Sequence, residues 1–238
     1  MIVPNRIKAL AFDYYGTIAD KLSLAGEIDV SFPGHGAAFT KLWFAQTQRY
    51  CFQNGMMERH IPWSELTKAA FSFACREMDM TVSDKLRDQW IEADTRLPVY
   101  REAPAALARL AARFDLYVLS MGSPWMIEKS QARSGIASYF KGIISAEPHK
   151  VYKPGRAAYE LGQREIGIEI EELSFVSGNS FDVIGAANYG YPTIWVRRYG
   201  QILDELEAAF VEQRDDVVIE HVDLEIVRIE PDISQLFV

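Results

Sequence analysis

The sequence predicts an α/β protein, a doubly wound, Rossmann-like parallel sheet with an all-helical domain inserted after its first strand. Three observations carry this reading. The stretch IKALAFDYYGTIAD, Ile7 to Asp20, is a short apolar run that ends in one carboxylate, Asp13. A run of that length without helical spacing reads as a buried strand. From Tyr100 onward helices and apolar strands alternate, which implies a parallel sheet with helices on both faces. Between Asp20 and about Pro98 no convincing strand occurs.

The elements follow in order. From Ala37 to about Met78 the pattern is helical, with Trp43, Thr47 and Tyr50 recurring at helical spacing, then Phe71, Cys75 and Met78. A further helix begins near Ser83 as N-cap, with Leu86, Trp90 and Ile91 facing inward. Ala103 to Phe114 is an Ala/Leu/Arg helix, and Leu116 to Leu119 an apolar strand. Ser123-Pro124 opens the next helix, with Pro at its first position. Gly142 to Ser145 reads as a short strand, and Pro154 opens a helix to about Ile166. Leu173 to Val176 is another strand, Ser180 caps a helix that Gly190 ends, and Thr193 to Val196 is a further strand. The tail holds a strand-like Leu224 to Ile229, read as an edge element without chemistry. The division expected is a core of residues 1–19 and 99–238 and a helical cap of residues 20–98 over the strand ends.

Composition narrows the function classes. The 238 residues are 49% hydrophobic and 24% charged, which suits a folded core domain with a smaller insertion. The net charge is −8 and no Lys/Arg stripe forms, so nucleic acid is not an expected partner. No stretch approaches a membrane span, and Pro4, Asn5 and Arg6 stand where a signal peptide needs an apolar run, so a cytoplasmic location is expected. Cys51 and Cys75 both fall in helical apolar patterns and read as two buried free thiols.

Polar residues gather where the sheet should have its carboxyl edge: Asp13 and Thr17, Ser120, Lys153, and Ser177, Asn179 and Asp182. One cation among two carboxylates makes sense if one carboxylate stays ionised and acts as a nucleophile. Lys153 would favour the charged form of Asp13 by direct attraction. Asp182 would hold Lys153 or accept a proton from water, and Ser120 with nearby backbone N–H groups would bind an anionic substrate group. Ser177 and Asn179 would fix the angle of attack. Each has a plainer alternative. Asp13 and Ser120 suit turn caps, Lys153 alone a solvated lysine, Asn179 a loop satisfier and Tyr159 a core-facing helix residue. His35, His60, His149 and His221 lack metal-ligand spacing and read as surface residues.

In this order and spacing the residues resemble the haloacid dehalogenase superfamily, in particular its L-2-haloacid dehalogenase branch. The matched segments are FDYYGTIAD, FPGHG, LYVLSMGSP, VYKPGRAAYELG and FVSGNSFDVIGAANYGYPTIWVRR. They span nearly the whole chain and are specific in combination. The resemblance implies an SN2 attack by Asp13 on the α-carbon of a small 2-substituted carboxylic acid. Water then attacks the ester carbonyl of Asp13 and releases a 2-hydroxy acid of inverted configuration. Thr17, Ser120, Lys153, Tyr159, Ser177, Asn179 and Asp182 match the family's catalytic positions. Tyr14, Tyr15, Phe44, Trp63, Met121 and Phe181 are expected to wall the substrate pocket. A homodimer through cap helices with exposed aromatic residues is implied as well.

Tyr15 separates this branch from phosphatase relatives, which carry a second Asp two places after the nucleophile and acidic residues that hold Mg²⁺. One or two carboxylates in the last motif make a poor site for a hard cation, so no metal and no other cofactor is expected. Two positions depart from the dehalogenase pattern. Phe44 follows the LW of the first cap helix where the family has an Arg that holds the departing halide, and Met121 replaces the Asn of SNG. Losing a charge-assisted partner and a neutral hydrogen bond would forfeit about 2–4 kcal/mol. That is about 10- to 1000-fold in kcat if it fell wholly on the transition state. The nucleophile end is thus intact and the leaving-group end rebuilt. This favours a leaving group needing no anion cradle, such as the ring amine of azetidine-2-carboxylate, an imino acid, over the alternative (S)-2-haloacid. A superfamily phosphatase and a non-catalytic binder rank below both.

Overall fold

The computed structural model describes residues 6–198 and 217–221. Six strands form one all-parallel sheet in the order β3-β2-β1-β4-β5-β6. They are β1 (Ala9–Phe12), β2 (Asp115–Ser120), β3 (Phe140–Ser145), β4 (Leu173–Ser177), β5 (Thr193–Arg197) and β6 (Val217–His221). β1 is central, with Phe12 opposite Val118 on one side and Val176 on the other. The chain winds outward from β1 in both directions, so the crevice beyond its carboxyl end is where such sheets take ligands.

All four residues of β1 are buried, and its alternation sorts them to two faces. Leu10 and Phe12 join the apolar cluster shared with the helical insertion, while Ala9 and Ala11 pack with Leu119, Tyr159, Phe175 and Tyr191. The helices flanking the sheet are α5 (Ala103–Ala111), α6 (Pro124–Ser134), α7 (Arg156–Ile166) and α8 (Ser180–Tyr189).

Four helices separate β1 from the rest of the sheet: α1 (Ala25–Ser31), α2 (Gly36–Met56), α3 (Trp63–Glu77) and α4 (Asp84–Asp94). A bridge between Ala19 and Val99 joins the two chain crossings at the base of this insertion. Its interior is aromatic. Phe39, Trp43, Phe71 and Trp90 interlock edge to face or tilted, with the Trp43 and Phe71 rings 5.0 Å apart. Ser83 caps α4 by accepting from the Leu86 N–H at 3.4 Å.

Two brackets fasten the insertion to the core. The Tyr152 hydroxyl donates to the Ile61 carbonyl at 2.7 Å and accepts from the Ile61 N–H at 2.9 Å. Glu147 Oε2 accepts from the Trp63 N–H and from the Ser123 hydroxyl, both at 2.7 Å.

Several local expectations are corrected. α7 starts at Arg156 rather than Pro154, because Tyr152 to Gly155 close a turn through a 2.9 Å backbone bond. Asn179, not Ser180, holds the N-cap position of α8. α1 has no counterpart in the sequence reading: it is seven residues long and buries only Ile28. Cys51 is buried but Cys75 only half-buried, and both are free. The large exposed apolar residues described in the insertion are Val30, Met56 and Met57, not aromatics, and the exposed aromatic Trp125 lies on α6 of the core. Leu224 to Ile229 lie outside the described residues. No described helix is long and apolar enough to cross a membrane.

Candidate active site

β1 delivers Asp13 to the crevice. Its N–H continues the strand ladder by donating to Val176 O at 2.9 Å, which fixes where the side chain begins. The two carboxylate oxygens then meet different surroundings. Oδ2 accepts from Asn179 Nδ2 at 2.8 Å, from the Thr17 hydroxyl at 3.0 Å and, weakly, from the Ser177 hydroxyl at 3.4 Å. Oδ1 has one donor, Lys153 Nζ at 3.3 Å. One oxygen is therefore anchored and the other keeps lone pairs free.

The anchors are themselves held. The Thr17 hydroxyl accepts from the Gly178 N–H at 2.7 Å, which ties the loop after β1 to the loop after β4. A Cβ on Gly178 would stand 2.2 Å from the Gly16 carbonyl oxygen, so only glycine permits this approach. Asn179 sits at the N-cap of α8 yet makes no capping bond with its side chain. Its amide donates instead to Asp13 and to Tyr15 O at 3.0 Å, and a residue type chosen for caps is diverted to the site.

Lys153 is fully buried. Its ammonium donates to Leu119 O at 2.7 Å, Asp182 Oδ2 at 2.8 Å and Asp13 Oδ1 at 3.3 Å, using all three protons. It also lies 4.6 Å from the Phe175 ring centroid. Asp182 is buried too, and its other oxygen accepts from the Tyr159 hydroxyl at 2.7 Å. Burial pushes the Asp182 carboxyl up to about 6; the Lys153 ammonium opposes this, and the Asp13 charge adds to it. Tyr159 is driven well above its ordinary range by burial and by the Asp182 charge, so it stays a donor.

Ser120 lies at the end of β2. Its hydroxyl oxygen accepts from the Gly122 N–H at 3.1 Å, and the Ser145 hydroxyl donates to Gly122 O at 2.8 Å. The 120–122 turn is thereby set, with the Ser120 hydroxyl close to the chain's own amides.

A small cavity opens between the loop after β1 and the insertion; Asp13 itself does not line it. Tyr15, Phe44 and Trp63 line it, with Lys21, Thr67 and Asp94. Tyr15 and Trp63 are stacked at 5.2 Å. Tyr14, Met121 and Phe181 do not line this cavity. Tyr14 is a correction: its hydroxyl donates to Ser130 at 2.8 Å inside the core. Phe181 packs edge-on against Phe52 at 4.9 Å, and Met121 is buried in the shared apolar cluster.

Lys21, Asp94 and Arg198 escaped the sequence reading. Lys21 follows Asp20 directly, at the end of the first motif, and that nearness to Asp13 was the available signal. Asp94 ends α4 and accepts from the Thr67 hydroxyl at 3.0 Å; burial pushes its carboxyl up to about 7. Arg198 donates to Thr17 O at 2.8 and 3.2 Å while lying 3.6 Å over the Tyr100 ring, so it braces the loop after β1 from behind. No group of three or more His, Cys, Asp or Glu arranged to hold a metal ion occurs among the described residues.

A family profile described as a haloacid dehalogenase-like hydrolase matches residues 7–190. The chain is 34% identical over 201 residues to an (S)-2-haloacid dehalogenase of Pseudomonas sp. (strain YL), covering 84% of this chain and 87% of that one. It is 35% identical over 203 residues to haloacetate dehalogenase H-2 of Moraxella sp. (strain B), covering 85% and 91%. Among solved structures it is similar to the L-2-haloacid dehalogenase of Xanthobacter autotrophicus with chloropropionic acid covalently bound. The TM-score there is 0.75 at 30% identity, covering 86% of this chain and 82% of the other.

Proposed function

The chain belongs to the haloacid dehalogenase-like hydrolases, and we propose that it displaces halide from the α-carbon of a small (S)-2-haloacid through an ester on Asp13. The observation that carries this is the asymmetry of the Asp13 carboxylate, anchored at Oδ2 and open at Oδ1. An oxygen with unshared lone pairs, held at a set angle, is what an in-line displacement needs.

The Oδ1–Cα bond forms as the carbon–halogen bond breaks, and the halide leaves with the bonding pair. Water then adds to the ester carbonyl carbon of Asp13. The donors at Oδ2 (Asn179, Thr17 and Ser177) receive the charge that develops there. The water proton passes toward Asp182, whose carboxyl is raised toward neutrality. Collapse breaks the Cγ–Oδ1 bond, the departing alkoxide takes up a proton of the added water, and an (R)-2-hydroxy acid leaves as the Asp13 carboxylate is restored with one oxygen from water. Lys153 pairs with both carboxylates before alkylation and stays on Asp182 while Asp13 is an ester.

The curated relatives support a carbon–halogen bond as the one broken. Phe44 and Met121, which put apolar groups where the family has donors, favour a second reading, opening of azetidine-2-carboxylate with a ring amine as leaving group. One experiment separates them. A single turnover in heavy-oxygen water is run with both enantiomers of 2-chloropropionate and with azetidine-2-carboxylate. Label in the Asp13 peptide after (S)-2-chloropropionate, with release of chloride, is the expected result. Label after azetidine-2-carboxylate alone would select the second reading, and no label with any substrate would remove both.

A further inference from the structure

Lys21 is a cation without an assignment. It stands on the loop after β1, half-buried, with its ammonium 4.1 Å from the Phe44 ring centroid and 3.4 Å from Asn179 Oδ1. That amide also holds Asp13, so Lys21 is one side chain removed from the nucleophile. It makes no ion pair among the described residues, although Asp13 and Asp20 both attract it. The space it fills is kept open by Gly16, where a Cβ would stand 3.1 Å from Lys21 Nζ and where φ is +83°.

The local charge balance gives this placement meaning. Two carboxylates, Asp13 and Asp182, share the single Lys153 ammonium, whose three protons are all committed. An anion expelled beside them would meet excess negative charge and no free donor from that cluster. Lys21 lines the adjoining cavity with Tyr15, Phe44 and Trp63, and through Asn179 it brings spare N–H groups within one side chain of Asp13.

We propose that Lys21 is the residue that receives the leaving anion, taking from the β1 loop the part that Phe44 on α2 does not play. The inference rests on the halide reading above. As the Asp13–carbon bond forms and the carbon–halogen bond breaks, the halide carries the electron pair to the Lys21 ammonium, and it leaves once the ester is hydrolysed. Phe44 then serves as the face against which the ammonium lies rather than as a donor.

The test uses the full chain as wild type, Lys21→Met and Lys21→Arg, with two readouts. Rapid-quench chloride release from (S)-2-chloropropionate gives the alkylation rate, and bromide titration of tryptophan fluorescence reports anion binding beside Trp63. In Lys21→Met we expect alkylation to slow by about 30-fold, with a smaller loss on the iodo analogue, whose leaving anion needs less stabilisation, and KM nearly unchanged. Lys21→Arg should stay within about threefold of wild type because it keeps the charge. Saturable bromide quenching should persist in wild type and Lys21→Arg and vanish in Lys21→Met. The proposal is overturned if Lys21→Met alkylates like wild type on both halides, or if its bromide quenching survives. Should wild type release no halide from any substrate, the dehalogenase reading falls, and the bromide titration alone still decides whether Lys21 binds the anion.

Discussion

The Tyr15 ring lies parallel to the indole of Trp63, with centroids 5.2 Å apart and planes inclined by 10°. One residue comes from the loop after β1 and the other opens α3 of the insertion, so the stack is a wall built half by each. Trp63→Ala should remove both the stack and a buried volume, costing about 3–5 kcal/mol of stability, whereas Trp63→Phe should keep most of it. Urea unfolding of the two variants measures the difference. Substrate KM should rise more for Ala than for Phe.

Lys153 neutralises part of a buried pair of carboxylates. Lys153→Met leaves Asp13 and Asp182 facing each other without a cation, which should cost about 3–5 kcal/mol and abolish turnover. Adding Asp182→Asn should restore a large part of the stability and none of the activity. Thermal unfolding with a chloride-release assay checks both parts.

Burial lowers the Lys21 ammonium to about 8, against the pull of Asp13 and Asp20. Asp94 and Tyr15 share its cavity. Above that pH the group becomes a neutral amine and loses its attraction for an anion. The alkylation rate should therefore fall as pH rises through about 8. In Lys21→Arg this alkaline limb should move beyond the measurable range, since guanidinium stays charged. A pH profile of single-turnover chloride release reads the limb directly.

Asp94 gives a stability signature. Its folded-state value of about 7 lies above the ordinary 3.8, so between those limits the native protein holds a proton that the unfolded chain has released. Stability contributed by this group is full below the lower limit and is lost as pH rises toward the upper one, by up to about 4 kcal/mol. Asp94→Asn should flatten that part of the stability curve, leaving the slope due to Asp182. Urea denaturation at a series of pH values tests it.

The exchange between Lys21 and Phe44 predicts a rescue. Phe44→Arg alone places a second cation against Lys21 and should gain little. In a Lys21→Met background the same change should recover at least about tenfold of the lost alkylation rate, because one cation again faces the leaving anion. A double-variant cycle on chloride release measures the coupling.

Much of this fold is legible in the sequence, for identifiable reasons. β1, β4 and β5 are short apolar runs bounded by polar turns, and burial on both faces leaves little else for them to be. Asp13, Lys153, Asn179 and Asp182 are legible through their order and spacing together, since each alone has an ordinary structural use. What escaped was set by distance in space. Tyr14 resembles a pocket residue until Ser130, far along the chain, captures its hydroxyl. Lys21 resembles any exposed lysine until α2 brings Phe44 over it. The start of α8 was misplaced because its N-cap side chain answers to Asp13 rather than to its own helix.

Glu147 joins two helix starts that lie far apart in the chain. A single oxygen of its side chain accepts from the first amide of α3 and from the hydroxyl preceding α6. The Ser120–Gly122 turn leads directly into α6. One carboxylate thus sets the opening of a helix in the insertion and of a helix in the core, and ties both to the turn at the end of β2.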